Sequence, residues 1–189
     1  MPNQPFSAVE TQIAGLYVVQ MKQFEDERGT IREFYRESDF LAAGLPSLGT
    51  LVQMNLTASN QGAIRGLHGE AMRKFVGVAA GEAFGAYLDP RPDSPTYAKV
   101  VTLTLRPGTG VLVSAGLCNG FQATAPGATE YFYCFDEEWK PDMAGVAVSP
   151  FDSDLAIPWP IAIDRSNRAL VSEKDATAPH LREAVLRRA

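Results

Sequence analysis

Over residues 100–105 the chain reads Val-Val-Thr-Leu-Thr-Leu, a short apolar start followed by alternation with period two, the pattern of a half-buried strand. It stops at a turn cluster, Arg106-Pro107-Gly108-Thr109-Gly110, and Val111-Leu112-Val113 resumes at once. That succession predicts the return strand of a hairpin. Residues 75–88 are apolar with Gly77, Gly81 and Gly85 interspersed, which predicts two inward-facing strands around Ala80-Gly81-Glu82. Residues 130–135 are aromatic and β-favouring. The apolar run over residues 13–19 is too short to span a bilayer and reads as a strand. Helix signals stand only near the ends, over residues 37–43 and 179–188. In the second of these, Leu181, Ala184, Val185 and Arg188 fall at helical spacing, with basic residues toward the C-terminus. Strands recurring at short intervals predict an all-β sandwich or small barrel with short peripheral helices. No repeat, low-complexity tract or linker divides the chain, so a single domain over residues 1–189 is expected.

Composition narrows the chemistry. A chain of 189 residues with 46% hydrophobic and 21% charged residues can bury a core without disulfide staples. Its net charge of −5 gives no global attraction to nucleic acid or to an anionic membrane, so a bound phosphate needs a local cluster of Arg and Lys. The N-terminus lacks the basic region of a signal peptide, and no stretch is apolar for long enough to form a transmembrane helix. The two cysteines, Cys118 and Cys134, form neither a disulfide framework nor a CxxC site, and a reducing cytoplasm is the expected compartment. With only His68 and His180, and no HxH or HExxH spacing, a metal-free mechanism is expected.

The segment that carries chemistry begins at Gln53-Met54-Asn55 and leads through Gly62 into Arg65-Gly66-Leu67-His68. On a regular strand Ile64, Gly66 and His68 share one face. Arg65 and Leu67 then point the other way unless a bulge intervenes.

These residues resemble the dTDP-4-dehydrorhamnose 3,5-epimerase family. The likeness rests on Arg65-Gly66-Leu67-His68 with Gln53 and Asn55 before it and Lys74 after it. Asp26-Glu27-Arg28-Gly29 with Glu33, Asp89-Pro90-Arg91 with Ser94-Pro95-Thr96, Gly120-Phe121, Tyr133 with Pro141, Trp159-Pro160 and Ser172-Glu173-Lys174-Asp175 continue in the family's order, over about residues 16–180. The resemblance implies a jelly-roll β-sandwich of the cupin type, usually a homodimer, that acts without a cofactor on a dTDP-4-keto-6-deoxyhexose. It implies His68 as the base, Asp175 as the carboxylate that orients it, Tyr133 as the acid on the opposite face and Lys74 as the partner of the O4 enolate. A proton alpha to a ketone is acidic enough for a neutral imidazole to remove, and inversion needs a second, distinct acid. Tyr131 competes for that role if the strand register slips by two. Arg65 and Arg28 match the diphosphate positions, while Glu33, Gln53 and Asn55 match positions that frame the nucleotide or sugar. Arg91 is another candidate for the diphosphate and equally a candidate for a surface or structural ion pair.

Four departures from the family stand out. The stretch from His68 to Lys74 is short and carries Gly69-Glu70. Gly85 replaces a carboxylate expected near the site. Asn119 stands for a histidine, and Ile31 for an aromatic that would stack on the base. They fall on substrate-contacting positions, so retained proton transfer with altered substrate or regiochemistry is expected, including inversion at C3 or C5 alone. A 4-keto to 3-keto isomerase and a non-catalytic sugar-nucleotide binding subunit are the alternatives.

Overall fold

In the computed structural model, which describes residues 4–49 and 52–184, the period-two segments form strands that alternate between two facing antiparallel sheets. The strands are β1 (Ser7–Glu10), β2 (Leu16–Gln20), β3 (Lys22–Asp26), β4 (Gly29–Glu33), β5 (Gln53–Asn60), β6 (Ile64–Glu70), β7 (Lys74–Ala80), β8 (Ala83–Leu88), β9 (Val100–Leu105), β10 (Thr109–Val113), β11 (Cys118–Ala123), β12 (Ala128–Phe135) and β13 (Gly145–Ala147). Two short helices accompany them, α1 (Glu37–Ala42) and α2 (Glu173–Ala176). One sheet has the order β1-β2-β10-β7-β12-β5 and the other β13-β6-β11-β8-β9, with β3 and β4 pairing only with each other. The expected all-β sandwich is present.

Three apolar layers hold it together. Between the sheets lie Val76, Tyr87, Val111, Phe121 and Tyr131. The outer face of the six-stranded sheet buries Phe75 and Phe132 beneath α1, whose Phe40 meets Phe75 edge-on at 5.3 Å. The outer face of the five-stranded sheet buries Leu67, Leu88 and Cys118 under Val148, Leu155 and Leu181 of the C-terminal segment. The central strands β7, β8 and β11 are therefore covered on both faces, which is why they read as apolar runs, whereas β9 at a sheet edge keeps its alternation.

Several sequence expectations are corrected in detail. Residues 100–105 and 111–113 are strands but not a hairpin: β9 pairs with β8, whereas β10 lies between β2 and β7 in the other sheet. The turn at Arg106–Gly108 carries the chain across the sandwich, with Gly108 at φ +104. The two strands expected within residues 75–88 are present, in different sheets and joined at Gly81 with φ +84. In residues 13–19 the strand starts only at Leu16, after Gly15 turns the chain at φ +85. The helix expected over residues 179–188 does not form as far as residue 184, and residues 185–189 lie outside the described ones. Tertiary hydrogen bonds capture this segment instead: the Asp152 carboxylate accepts from Leu181 N at 2.7 Å, and Pro179 O from Ser149 N at 2.7 Å.

Candidate active site

Strand β6 sets the site. Its pairing with β11 shifts register between Asn119 and Phe121, so Asn119 lies opposite His68 while Phe121 lies opposite Arg65. The irregularity at Gly66 breaks the period of two: Arg65 and His68 both line one cavity, and Leu67 goes to the outer core. Gly66 has φ +116, and a Cβ there would stand 2.6 Å from Gly120 Cα. Only glycine allows β6 and β11 to approach so closely.

The cavity, of about 440 Å³, opens between the two sheets. The five-stranded sheet contributes Arg65, His68 and Asn119, and the six-stranded sheet Gln53, Asn55, Lys74 and Tyr133. Asp175 enters from α2. A parallel bridge between Ile64 and Val171 docks the C-terminal segment on β6, and Ser172 caps α2 by accepting from Asp175 N at 3.1 Å. Asp175 is therefore inside the helix, and the cap is Ser172.

His68 Nε2 lies 2.7 Å from Asp175 Oδ1, while Oδ2 faces the backbone N–H of Gly66 at 3.4 Å. Burial acts to raise the Asp175 carboxyl, but the hydrogen bond and charge of His68, with Gly66 and Ser172, outweigh it and hold the group below its ordinary value. An ionised carboxylate only accepts, so Nε2 of the neutral ring carries the proton and Nδ1 keeps the basic lone pair. From the facing sheet comes Tyr133, pushed up to about 12 by burial against the opposing pull of Arg65 and Thr57. Its phenol stays protonated at neutral pH. Tyr131, two residues earlier, is fully buried and stacks on Phe121 with centroids 4.0 Å apart, outside the cavity lining.

The remaining expected residues divide. Lys74, 3% exposed, donates to His68 O at 3.1 Å and to Glu70 Oε2 at 2.5 Å. Arg65 Nε donates to Ser59 Oγ at 3.0 Å. Gln53 Oε1 accepts from the backbone N–H of Trp139 at 2.8 Å, and Gln53 Nε2 donates to Asn55 Oδ1 at 3.3 Å. Arg28 and Glu33 are not brought to this cavity. Arg28, 86% exposed, pairs with Asp26 at 2.5 Å in the β3–β4 hairpin, and Glu33 pairs with Arg36. Arg91 is structural: it spans the buried Asp89 at 2.7 Å and the carbonyl of Ala14 at 2.9 Å.

Other lining residues carried no expected role. Arg168 and Lys174 add cations from the C-terminal segment, and Trp139 adds an exposed aromatic face. Lys174 sits beside Asp175, which was the available signal. Nothing in the sequence around Arg168 distinguishes it from a solvated arginine.

Fold and site together define a cupin-type sandwich whose cavity has a histidine–carboxylate pair on one wall and a phenol on the other. The chain belongs to the dTDP-4-dehydrorhamnose 3,5-epimerase family, whose sequence model matches residues 10–183. It is 32% identical over 184 residues to the dTDP-4-dehydrorhamnose 3,5-epimerase of Salmonella typhimurium, covering 94% of this chain and 97% of the relative. It is 30% identical over 167 residues to the dTDP-4-dehydro-6-deoxyglucose 3-epimerase of Streptomyces bikiniensis, covering 84% and 81%. The solved structure of a 4-keto-6-deoxy sugar epimerase from the novobiocin cluster of Streptomyces spheroides superposes with a TM-score of 0.86 at 29% identity, covering 95% and 89%. That of the Legionella pneumophila 3,5-epimerase in complex with dTDP-4-keto-L-rhamnose gives 0.85 at 27%, covering 98% and 99%.

Proposed function

We propose that this chain inverts C3, C5 or both of a dTDP-4-keto-6-deoxyhexose by removing and returning a proton alpha to the C4 ketone. His68 Nδ1 takes the proton, breaking the C–H bond and leaving an enolate whose charge falls on O4. Asp175 supports the imidazolium, and Lys74 supports O4. Tyr133 then gives its proton to the carbon from the other side, forming the new C–H bond, and both groups re-equilibrate with solvent. The observation that carries this reading is that His68 and Tyr133 belong to facing sheets of one cavity. Acid and base on opposite walls suit inversion, whereas a 4-keto to 3-keto isomerase moves protons along one face. Arg65 with Arg168 and Lys174 supplies the cations for the diphosphate, and Gln53, Asn55 and Asn119 offer amides to the sugar or base.

Inversion at C3 alone is the second reading, favoured by the 3-epimerase among the relatives. Proton NMR of dTDP-4-keto-6-deoxyglucose incubated with the protein tests both, since epimers at C3 and at C5 have separate signals. A substrate left with its original configuration at both carbons overturns the proposal.

The active unit we propose is a homodimer in the cytoplasm. The β3–β4 hairpin stands apart from both sheets of its own chain and carries Arg28, Glu33 and an exposed Ile31. Met54 and Leu56, 55% and 57% exposed on edge strand β5, add apolar surface on the face opposite the cavity-lining Gln53 and Asn55. A second copy seated there buries that surface and brings its own Arg28 and Glu33 to the substrate. The free, buried Cys118 and Cys134 suit a reducing compartment.

A further inference from the structure

Lys74 is a cation in a nearly closed wall, with its side chain 3% exposed at the start of β7. Such a group needs a counter-charge and hydrogen-bond acceptors to offset its lost hydration. Two meet it. The His68 carbonyl accepts at 3.1 Å, and the Glu70 carboxylate accepts at 2.5 Å. Glu70 ends β6 in one sheet and Lys74 begins β7 in the other, so residues 71–73 tie the ion pair across the turn between sheets. Glu70 also lines the cavity, and its charge adds to the forces that keep Tyr133 protonated. Strand β8 brings no acid of its own at Gly85. There the Tyr87 ring edge and hydroxyl stand 3.0 Å from where a Cβ would be, so an aspartate does not fit without displacing Tyr87.

We propose that Glu70 is the positioning residue for Lys74. It fixes the ammonium against the His68 carbonyl, at the start of a strand that neighbours the phenol's own, before a ketone oxygen arrives. The proposal rests on the epimerase reading for the chemistry this ammonium serves. As charge develops on O4, the ammonium shares its hydrogen bonds between O4 and Glu70, and no side chain has to be reoriented. Removing the carboxylate charge leaves a buried cation without its counter-ion, and the ammonium turns away from the reacting oxygen.

The test compares the wild-type protein with Glu70→Gln, Glu70→Asp, Lys74→Met and the double variant Glu70→Gln/Lys74→Met, which carries no buried charge at either position. Initial rates are read as deuterium uptake into dTDP-4-keto-6-deoxyglucose. Glu70→Gln should lower kcat by about tenfold or more with KM within about threefold, because the lost interaction serves the enolate rather than the nucleotide. Glu70→Asp should recover part of that loss, and the double variant should be no slower than Lys74→Met in deuterium uptake, since Glu70 serves the exchange step through the lysine. A second readout does not depend on turnover. The ¹⁵N–¹H signal of the Lys74 ammonium, assigned by its loss in Lys74→Met, should be visible in the wild type and broadened away in Glu70→Gln. Wild-type kcat in Glu70→Gln, additive losses in the double variant, or an ammonium signal unchanged in Glu70→Gln would each overturn the proposal. A wild-type protein with the predicted ammonium signals but no proton exchange counts against the epimerase reading and leaves the Glu70–Lys74 pair standing.

Discussion

Asp175 stays ionised in a buried position because an imidazole faces it, and the same contact fixes which ring nitrogen is basic. Both partners follow from that coupling as mutational targets. His68→Ala removes the base, while Asp175→Asn keeps the hydrogen-bonding shape and loses the charge that supports an imidazolium. Turnover should fall by at least about 10²-fold in each, with His68→Ala the slower, as general-base contributions require. Steady-state rates on folded variants check this. Tyr133 makes a sharper prediction. In Tyr133→Phe the base still forms the enolate, and the imidazolium returns the proton to the face it left. Deuterium should therefore enter the substrate while epimer formation falls by about 10²–10⁴-fold. Tyr131→Phe should leave inversion unchanged, because its phenol lies in the apolar interior rather than in the cavity. Inversion at the normal rate in Tyr133→Phe would transfer the acid's role elsewhere.

Strands are where the sequence was most readable and where it misled in one consistent way. Period-two alternation reports which face of a strand is buried, but not which strand lies beside it. Residues 100–105 and 111–113 were legible as strands, yet they enter different sheets because the intervening turn crosses the sandwich. The helical spacing over residues 179–188 lost to a tertiary capture, the Asp152 carboxylate holding the Leu181 N–H. The bulge in β6 was equally hidden. Regular alternation sets Arg65 and His68 back to back, and only the close approach of Gly66 to Gly120 brings both into the cavity. Gly66→Ala tests that element. A side chain at φ +116 and 2.6 Å from Gly120 Cα forces β6 off β11. The expected cost is about 2 kcal/mol or more, lowering Tm by about 4 °C or more, together with loss of turnover. Calorimetry with a parallel activity assay would show it, and an unchanged Tm would contradict this account of β6.

At the scale of the whole molecule, the ordered motifs carried both the fold and most of the cavity: His68, Lys74, Asn119, Tyr133 and Asp175 converge although they are scattered over more than a hundred residues. Arg28 and Glu33 are the exceptions, since motif order does not say where a hairpin that belongs to neither large sheet comes to lie. If they serve the partner's cavity, defective chains should complement each other. Arg28→Ala co-expressed with His68→Ala gives mixed dimers in which one cavity has both residues intact. With random pairing about a quarter of wild-type activity returns, and rates on the purified mixture measure it. Recovery no greater than the sum of the parents would show that Arg28 does not serve a partner's cavity. Every role assigned in this cavity depends on the movement of a proton at a carbon beside a ketone. Incubation of dTDP-4-keto-6-deoxyglucose with the protein in D₂O, read carbon by carbon by NMR, is the decisive experiment. Deuterium should appear at C3, at C5 or at both with the wild-type protein, and at neither with His68→Ala. A wild-type protein that binds the sugar nucleotide and leaves both positions protonated would contradict the account.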